Sequence, residues 1–361
     1  MHLRFWRVRR LPFKLLFVYK EYLFDHALNS LVQHLRRNYR NIHFLAFTPE
    51  QRPRSNPGLS TEVFLRALNE VVPDVVFDYG LILTPAEVDA ILARGAQVVA
   101  SVPGIHSFFF SAPPMTQREA LDVLRRHALY LVPHAPHVAR LRREGVNAVE
   151  FPFWYDPQWF RPIRTEARFE ILFVGDLHTP LNANRRELLE RLSHHYDITI
   201  ASARDPEIKL AHYLGHTSDP RQLNLWLNQA CLVLGSDRLA DTSALNSLPG
   251  QFIFYDDQFF IRQRTYLTLG AGACYLVERH PEIQRKFTDG EEVVLWGEFR
   301  ELVEKARRLL GNSALRRRIG QKAHARALAE HSTPVRAQQL VALLEAVAAP
   351  APTRDRGARK N

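Results

Sequence analysis

The chain has 361 residues, 46% of them hydrophobic, and a formal net charge of +10. That length predicts two domains, and that apolar content excludes a globally disordered chain. No apolar run reaches the roughly 18–20 residues needed to cross a bilayer, which argues against an integral membrane protein.

Charge is concentrated at the ends. Arg4, Arg7, Arg9, Arg10, Lys14 and Lys20 stand without an acidic partner in the first twenty residues, and Arg354, Arg356, Arg359 and Lys360 lie in a Pro/Ala-rich tail. Basic ends without interleaved aromatics argue against nucleic acid as a partner. They point to a peripheral contact with the anionic inner membrane surface; the alternative is a solvated basic fringe. Residues 1–20 lack a small-residue cleavage site and run directly into the strand-like LLFVY, so they read as mature protein. The two cysteines, Cys231 and Cys274, sit in apolar runs and are expected as buried free thiols of a cytoplasmic protein. No Cys/His cluster has zinc spacing, and no metal or cofactor is expected.

In chain order, β-rich runs alternate with helical periodicity in two halves, the pattern of parallel α/β sheets. The first half reads as strand 15–19, helix 27–37 with Leu28, Leu31, Val32 and Leu35 on one face, and strand 42–47. A Pro/Arg/Ser/Gly-rich loop over 49–60 follows, then helix 61–71, strand 75–79, helix 85–93 and strand 97–102. Helix 117–126, strand 128–133, helix 137–144 ended by Gly145, and strand 148–151 complete it. The aromatic, proline-marked segment FPFWYDPQWFRPIRTEARFE then reads as a linker. The second half restarts with strand 170–174, broken by Gly175, and continues with helix 185–192, strand 197–201, a short strand at 213–214, helix 223–228 and strand 231–235. Helix 264–269, strand 274–277 and three closing helices over 298–310, 313–329 and 334–348 end the pattern. The expected domains are 1–160, 161–349 with the closing helices, and a disordered basic tail over 350–361.

Three constellations carry chemistry. In ILFVGDLHTPLNANRRELLERL a buried strand ends at Gly175 and Asp176 and leads through a polar loop into a helix, the place where open α/β sheets bind ligands. It lacks both a P-loop and a Gly-x-Gly-x-x-Gly, so an ordinary strand-to-helix turn competes with ligand contact. The second is FIRQRTYLTLGAGACYLVERHPEIQRKFTD, residues 260–289. It places Arg262, Arg264 and Thr265 at a helix start, where free N–H groups, the helix dipole and two permanent cations suit a phosphate or diphosphate. The competing reading pairs these arginines with Asp256 or Asp257. The third is histidine with carboxylate in the first half: Asp25-His26 after the first strand, and His106 in the loop GIHSFFF, with His134 a weaker candidate. Each is placed to act as a general base in a two-lobed cleft. The aromatic clusters at 151–160 and 252–260 read as packing ahead of sugar stacking.

Three collinear stretches resemble the CgeB-like (spore maturation protein type) glycosyltransferases, within the group close to glycosyltransferase families 1 and 4. These are the linker FPFWYDPQWFRP, the strand-loop-helix FVGDLHTPLNANRRELLERL, and RQRTYLTLGAGACYLVERHPEIQRKFTDGEEVVLW with the closing ALAEHSTPVRAQQLVALL. The resemblance implies a GT-B fold: two Rossmann-like α/β lobes facing across a cleft, with C-terminal helices. It implies transfer of a sugar from a nucleotide-diphosphate sugar to an acceptor hydroxyl of a glycan, lipid or protein, without metal, in glycan or cell-surface polysaccharide biosynthesis. Carried over, Arg264 and Thr265 approach the diphosphate, Gly175 forms the donor loop and Arg204 lies toward the base. Many GT-B enzymes place two glutamates around this helix; Phe259 and Leu267 stand in their positions here, and Glu278 is a candidate substitute. His106 or Asp25 is then the expected base. The alternatives are a nucleotide-sugar epimerase of the same architecture and a non-catalytic nucleotide- or glycan-binding protein.

Overall fold

The computed structural model describes residues 8–21, 26–52, 57–101, 117–178, 182–238 and 261–349. His106, Asp25, Phe259, Asp256, Asp257 and the tail over 350–361 therefore lie outside the described residues.

The first lobe contains β1 (Arg9–Lys20), α1 (His26–Asn38), β2 (Tyr39–Phe47), α2 (Thr61–Val71), β3 (Val75–Tyr79), α3 (Pro85–Leu92) and β4 (Gln97–Ser101). It continues with α4 (Gln117–Arg125), β5 (Leu129–Val132), α5 (Ala135–Arg143) and β6 (Ala148–Glu150). The strands form one six-stranded parallel sheet in the order β2-β1-β3-β4-β5-β6. Helices cover both faces, which is why β3 and β5 are buried at every position and read as largely apolar runs, broken in β3 only by Asp78, rather than alternating ones.

The second lobe contains β7 (Phe169–Val174), α6 (Ala183–Ser193), β8 (Ile198–Ala201), β9 (Ala211–Gly215), α7 (Pro220–Gln229) and β10 (Ala230–Gly235). Then come α8 (Gln263–Gly270), β11 (Tyr275–Glu278), α9 (Pro281–Lys286), β12 (Val294–Trp296), α10 (Phe299–Leu310), α11 (Ser313–Glu330) and α12 (Thr333–Ala348). Its parallel sheet runs β12-β11-β10-β7-β8-β9, a doubly wound order whose direction of winding reverses between β7 and β10. The three-residue β12 is too short for a periodic signal, and the sequence pattern does not reveal it.

The linker is packed, not extended. Phe151 and Trp154 enter the first-lobe core, and Tyr155 and Phe160 enter a second-lobe core. The indole of Trp154 donates to the Ala27 carbonyl at 3.0 Å. The aromatic run at 151–160 is thus interlobe packing. Tyr155 also meets the returning chain. Its N–H donates to the His331 carbonyl at 3.1 Å, and its own carbonyl accepts from the Thr333 N–H at 2.9 Å. Gly270 sits beneath the Tyr155 ring, where an added Cβ would overlap it.

One element departs from its place in the chain. The closing helices are expected with the second lobe, yet α12 buries Ala337, Leu340, Val341 and Leu344 in the first-lobe core against α1 and β1. Its Thr333 hydroxyl meets Ser30 of α1 at 2.6 Å. Chain order is a poor guide here, because an amphipathic helix goes wherever an apolar face remains uncovered. Leu340→Ala, at a fully buried position, is expected to cost about 2–5 kcal/mol, read as a lower urea midpoint.

Candidate anion site at the reversal of the second sheet

Where winding reverses, the crossovers leave β7 and β10 on opposite faces, so a crevice opens past their carboxyl ends. Arg264, in the first turn of α8, spans that crevice. Its Nη1 donates to the Val174 carbonyl at the end of β7 at 3.0 Å, and its Nη2 donates to the Ser236 carbonyl just past β10. Its guanidinium lies over the Phe173 ring, 5.0 Å from the centroid. Gly175 allows this. Its φ of +153° disfavours a side chain, and an added Cβ would overlap Arg264 Nη1.

The acid beside Arg264 is Asp237, fully buried, with Oδ1 3.7 Å from Nη2. On its other side His280 Nε2 lies 3.5 Å from Oδ2. Burial pushes the Asp237 carboxyl up, but the His280 ring beside it and the charges of Arg264 and Arg262 outweigh that and hold the group below the usual carboxylate range. Glu278, ending β11, accepts from the Ser236 hydroxyl at 3.2 Å, and burial raises its pKa.

Arg185, in the first turn of α6, is 1% exposed. Its Nη1 makes one long hydrogen bond, 3.5 Å, to the Asp176 carbonyl, and its Nε and Nη2 have no hydrogen-bond partner. Burial first, then the like charges of Arg264 and Arg262, drive its pKa down to about 7. A guanidinium does not readily surrender its proton. Among the described residues the local arrangement is short of negative charge: Arg185, Arg262 and Arg264 act on one another with Asp237 as the carboxylate among them. Arg262 is the N-cap of α8, so the positive end of the helix dipole adds to the same field. Such a site attracts a compact polyanion.

Asp176 organises the turn after β7. Its Oδ1 accepts from the His178 N–H and its Oδ2 from the Asn182 side-chain amide, each at 3.1 Å. Beside this loop a cleft of about 280 Å³ is lined by Gly175, Asp176, Ser202, His216, Trp226 and Leu267 of the second lobe and by His26 of the first. Leu267 forms part of its wall together with Gln263.

The structure thus brings together Gly175, Asp176, Arg262, Arg264 and Glu278. Thr265 does not join them: it is fully buried, with its hydroxyl 3.3 Å from the Tyr275 hydroxyl in the core. Arg204 lies exposed past β8, where its carbonyl meets the His178 ring at 3.0 Å. Sequence reasoning missed Arg185, Asp237 and His280. Asp237 and His280 each stand two residues past a strand end and Arg185 opens the helix after β7, so the rule that ligands gather at strand ends could have found them. Among the described residues, no group of three or more His, Cys, Asp or Glu side chains converges as a metal-ligand set.

A model of a glycosyl transferase-like family matches residues 185–342, from Arg185 into α12. Among solved structures, the chain is similar to sucrose-phosphate synthase from Thermosynechococcus elongatus, with a TM-score of 0.67, 11% identity, and coverage of 92% of this chain and 99% of that one. HepE from Anabaena, in complex with UDP and glucose, aligns with a TM-score of 0.63 at 13% identity, over 92% of this chain and all of the other. AviGT4, a glycosyltransferase involved in avilamycin A biosynthesis, aligns at 0.60 and 16% identity, over 94% and 99%. The chain has the GT-B fold. No curated protein matches it in sequence.

Two outcomes follow from this geometry. Gly175→Ala is expected to displace Arg264 and, tested with inorganic pyrophosphate as an anion probe by isothermal titration, to lower its affinity, with only a modest loss of stability. Arg185→Met is expected to raise the urea midpoint, because it removes a buried guanidinium whose Nε and Nη2 have no hydrogen-bond partner. The same change weakens diphosphate binding, so the urea midpoint and the dissociation constant move in opposite senses.

Proposed function

We propose that the protein is a GT-B glycosyltransferase whose donor diphosphate is held by Arg264, Arg262 and Arg185 at the β7/β10 crevice. The observation that carries this reading is Arg185, a buried guanidinium whose Nε and Nη2 lack hydrogen-bond partners beside two further arginines. A diphosphate supplies the missing charge and the missing acceptors at once. The glycosyl transferase-like match begins at this residue, and HepE, which shares the fold, has been crystallised with UDP and with UDP-glucose. A UDP-sugar is therefore the first donor to test.

In the proposed reaction an acceptor hydroxyl oxygen attacks the anomeric carbon. The bond from that carbon to the diphosphate oxygen breaks and its electron pair leaves with the diphosphate. Arg264 and the start of α8 stabilise that charge more in the transition state than in the bound donor. The hydroxyl proton passes to a first-lobe base, with His106 and Asp25 as the proposed candidates. The arginines take the role a metal plays in other diphosphate sites. Relationship to the CgeB-like group, a place in polysaccharide biosynthesis, and a cytoplasmic protein held to an anionic membrane surface by its basic ends belong to the same proposal. No helix among the described residues is long and apolar enough to cross a membrane.

A metal-free thermal-shift panel of nucleoside diphosphates and UDP-sugars tests the donor site, with Arg264→Ala alongside. One nucleotide is expected to raise the midpoint selectively, and Arg264→Ala to erase that rise. No shift at saturating nucleotide would overturn the assignment. Binding without sugar transfer to any acceptor, or without hydrolysis of the UDP-sugar, would mark a non-catalytic binding protein.

A further inference from the structure

We propose that His280 is a positioning residue of the diphosphate site, acting through Asp237 to fix the aim of Arg264. The inference rests on the donor-site reading above. It starts from register: β10 and β11 are parallel neighbours with Gly235 opposite Val277, so the residues following each strand emerge side by side. His280, two residues past β11, is the N-cap of α9, and its Nδ1 accepts from the Ile283 N–H at 3.3 Å. That bond makes Nδ1 the acceptor and leaves the ring proton on Nε2. Nε2 in turn faces Asp237 Oδ2 at 3.5 Å, and Asp237 Oδ1 faces Arg264 Nη2 at 3.7 Å.

At these lengths the contacts are charge and dipole restraints rather than tight hydrogen bonds. They gain strength from place, since the His280 and Asp237 side chains are fully buried and water does not screen them. The ring is held twice: turning it away from Asp237 also costs the α9 cap. Glu278 plays a parallel part, because its bond to the Ser236 hydroxyl steadies the residue whose carbonyl receives Arg264 Nη2. Ser236 and Asp237, the two residues just past β10 that face Arg264, are thus braced from the end of β11. Arg264 has many rotamers, and a leaving-group contact is effective only when the donor points at the developing charge. The brace confines it before the donor arrives.

The test uses the full chain with UDP and inorganic pyrophosphate as probes, titrated calorimetrically. His280→Asn keeps a good N-cap acceptor but no longer reaches Asp237. We expect it to weaken UDP and pyrophosphate alike by about tenfold with an unchanged urea midpoint, and to lower kcat by about 10–100-fold while the acceptor KM stays constant. In an Arg264→Lys background the same change is expected to add less than about twofold, because the two residues act in series. Unchanged pyrophosphate affinity in His280→Asn, with affinity lost in Arg264→Ala, would overturn the brace and leave the donor site standing. Unchanged affinity in Arg264→Ala would instead remove the donor-site reading itself. Should His280→Asn fail to fold, Asp237→Asn decides: a matching loss supports the brace, and wild-type binding overturns it.

Discussion

The second lobe is organised around one guanidinium that bridges two strand ends. Arg264 bonds to carbonyls of β7 and β10, the neighbours between which the winding reverses. These carbonyls lie where the strands end, so without Arg264 they would lose protein partners at a crevice. The bridge therefore serves the fold and the site together. It closes the end of the crevice and places a permanent cation there. Gly175, Ser236, Asp237 and the start of α8 are arranged about that contact, and the cation excess including Arg185 surrounds it.

Such a site is costly to build. A buried arginine with two nitrogens lacking hydrogen-bond partners opposes folding, as does a buried carboxylate, and the pair offset each other only in part. The chain sustains it with large apolar cores in both lobes and a linker that contributes aromatic side chains to each. The lobes are joined by more than the linker. The segment around Tyr155 runs beside Ser332, and α12 returns to pack on α1. Glu150 at the end of β6 pairs with Arg285, at 2.7 Å, and with Lys286, both on α9. Two chain crossings and an ion-pair cluster hold the lobes across the cleft that His26 and Gly175 line.

Much of the architecture was legible because parallel α/β sheets leave a strong local signal. Strands covered on both faces must be almost wholly apolar, as in LLFVY, VVFDY and ILFV, and their helices must be amphipathic. The bounds of α2 and β3 were read residue for residue. Arg262, Arg264, Gly175 and Glu278 were legible for a related reason, since each adjoins a strand end or a helix start. Thr265 shows the limit: it shares that helix start, but its position on α8 turns it into the core toward Tyr275. One residue of helical rotation separates a ligand contact from a core hydroxyl, and the sequence pattern around it does not resolve that rotation.

By itself the sequence determined the α/β class, the two halves, the element order and the arginine-marked helix start, because these depend on neighbours a few residues apart. Only the tertiary structure decided which strands are adjacent, that α12 belongs with the first-lobe core, and that Arg185, Asp237 and His280 gather around Arg264, His280 by way of Asp237. Along the chain Arg185, Asp237 and His280 lie 79, 27 and 16 positions from Arg264. Charges so far apart in sequence interact strongly only when the winding of the sheet brings them together and burial removes the water between them.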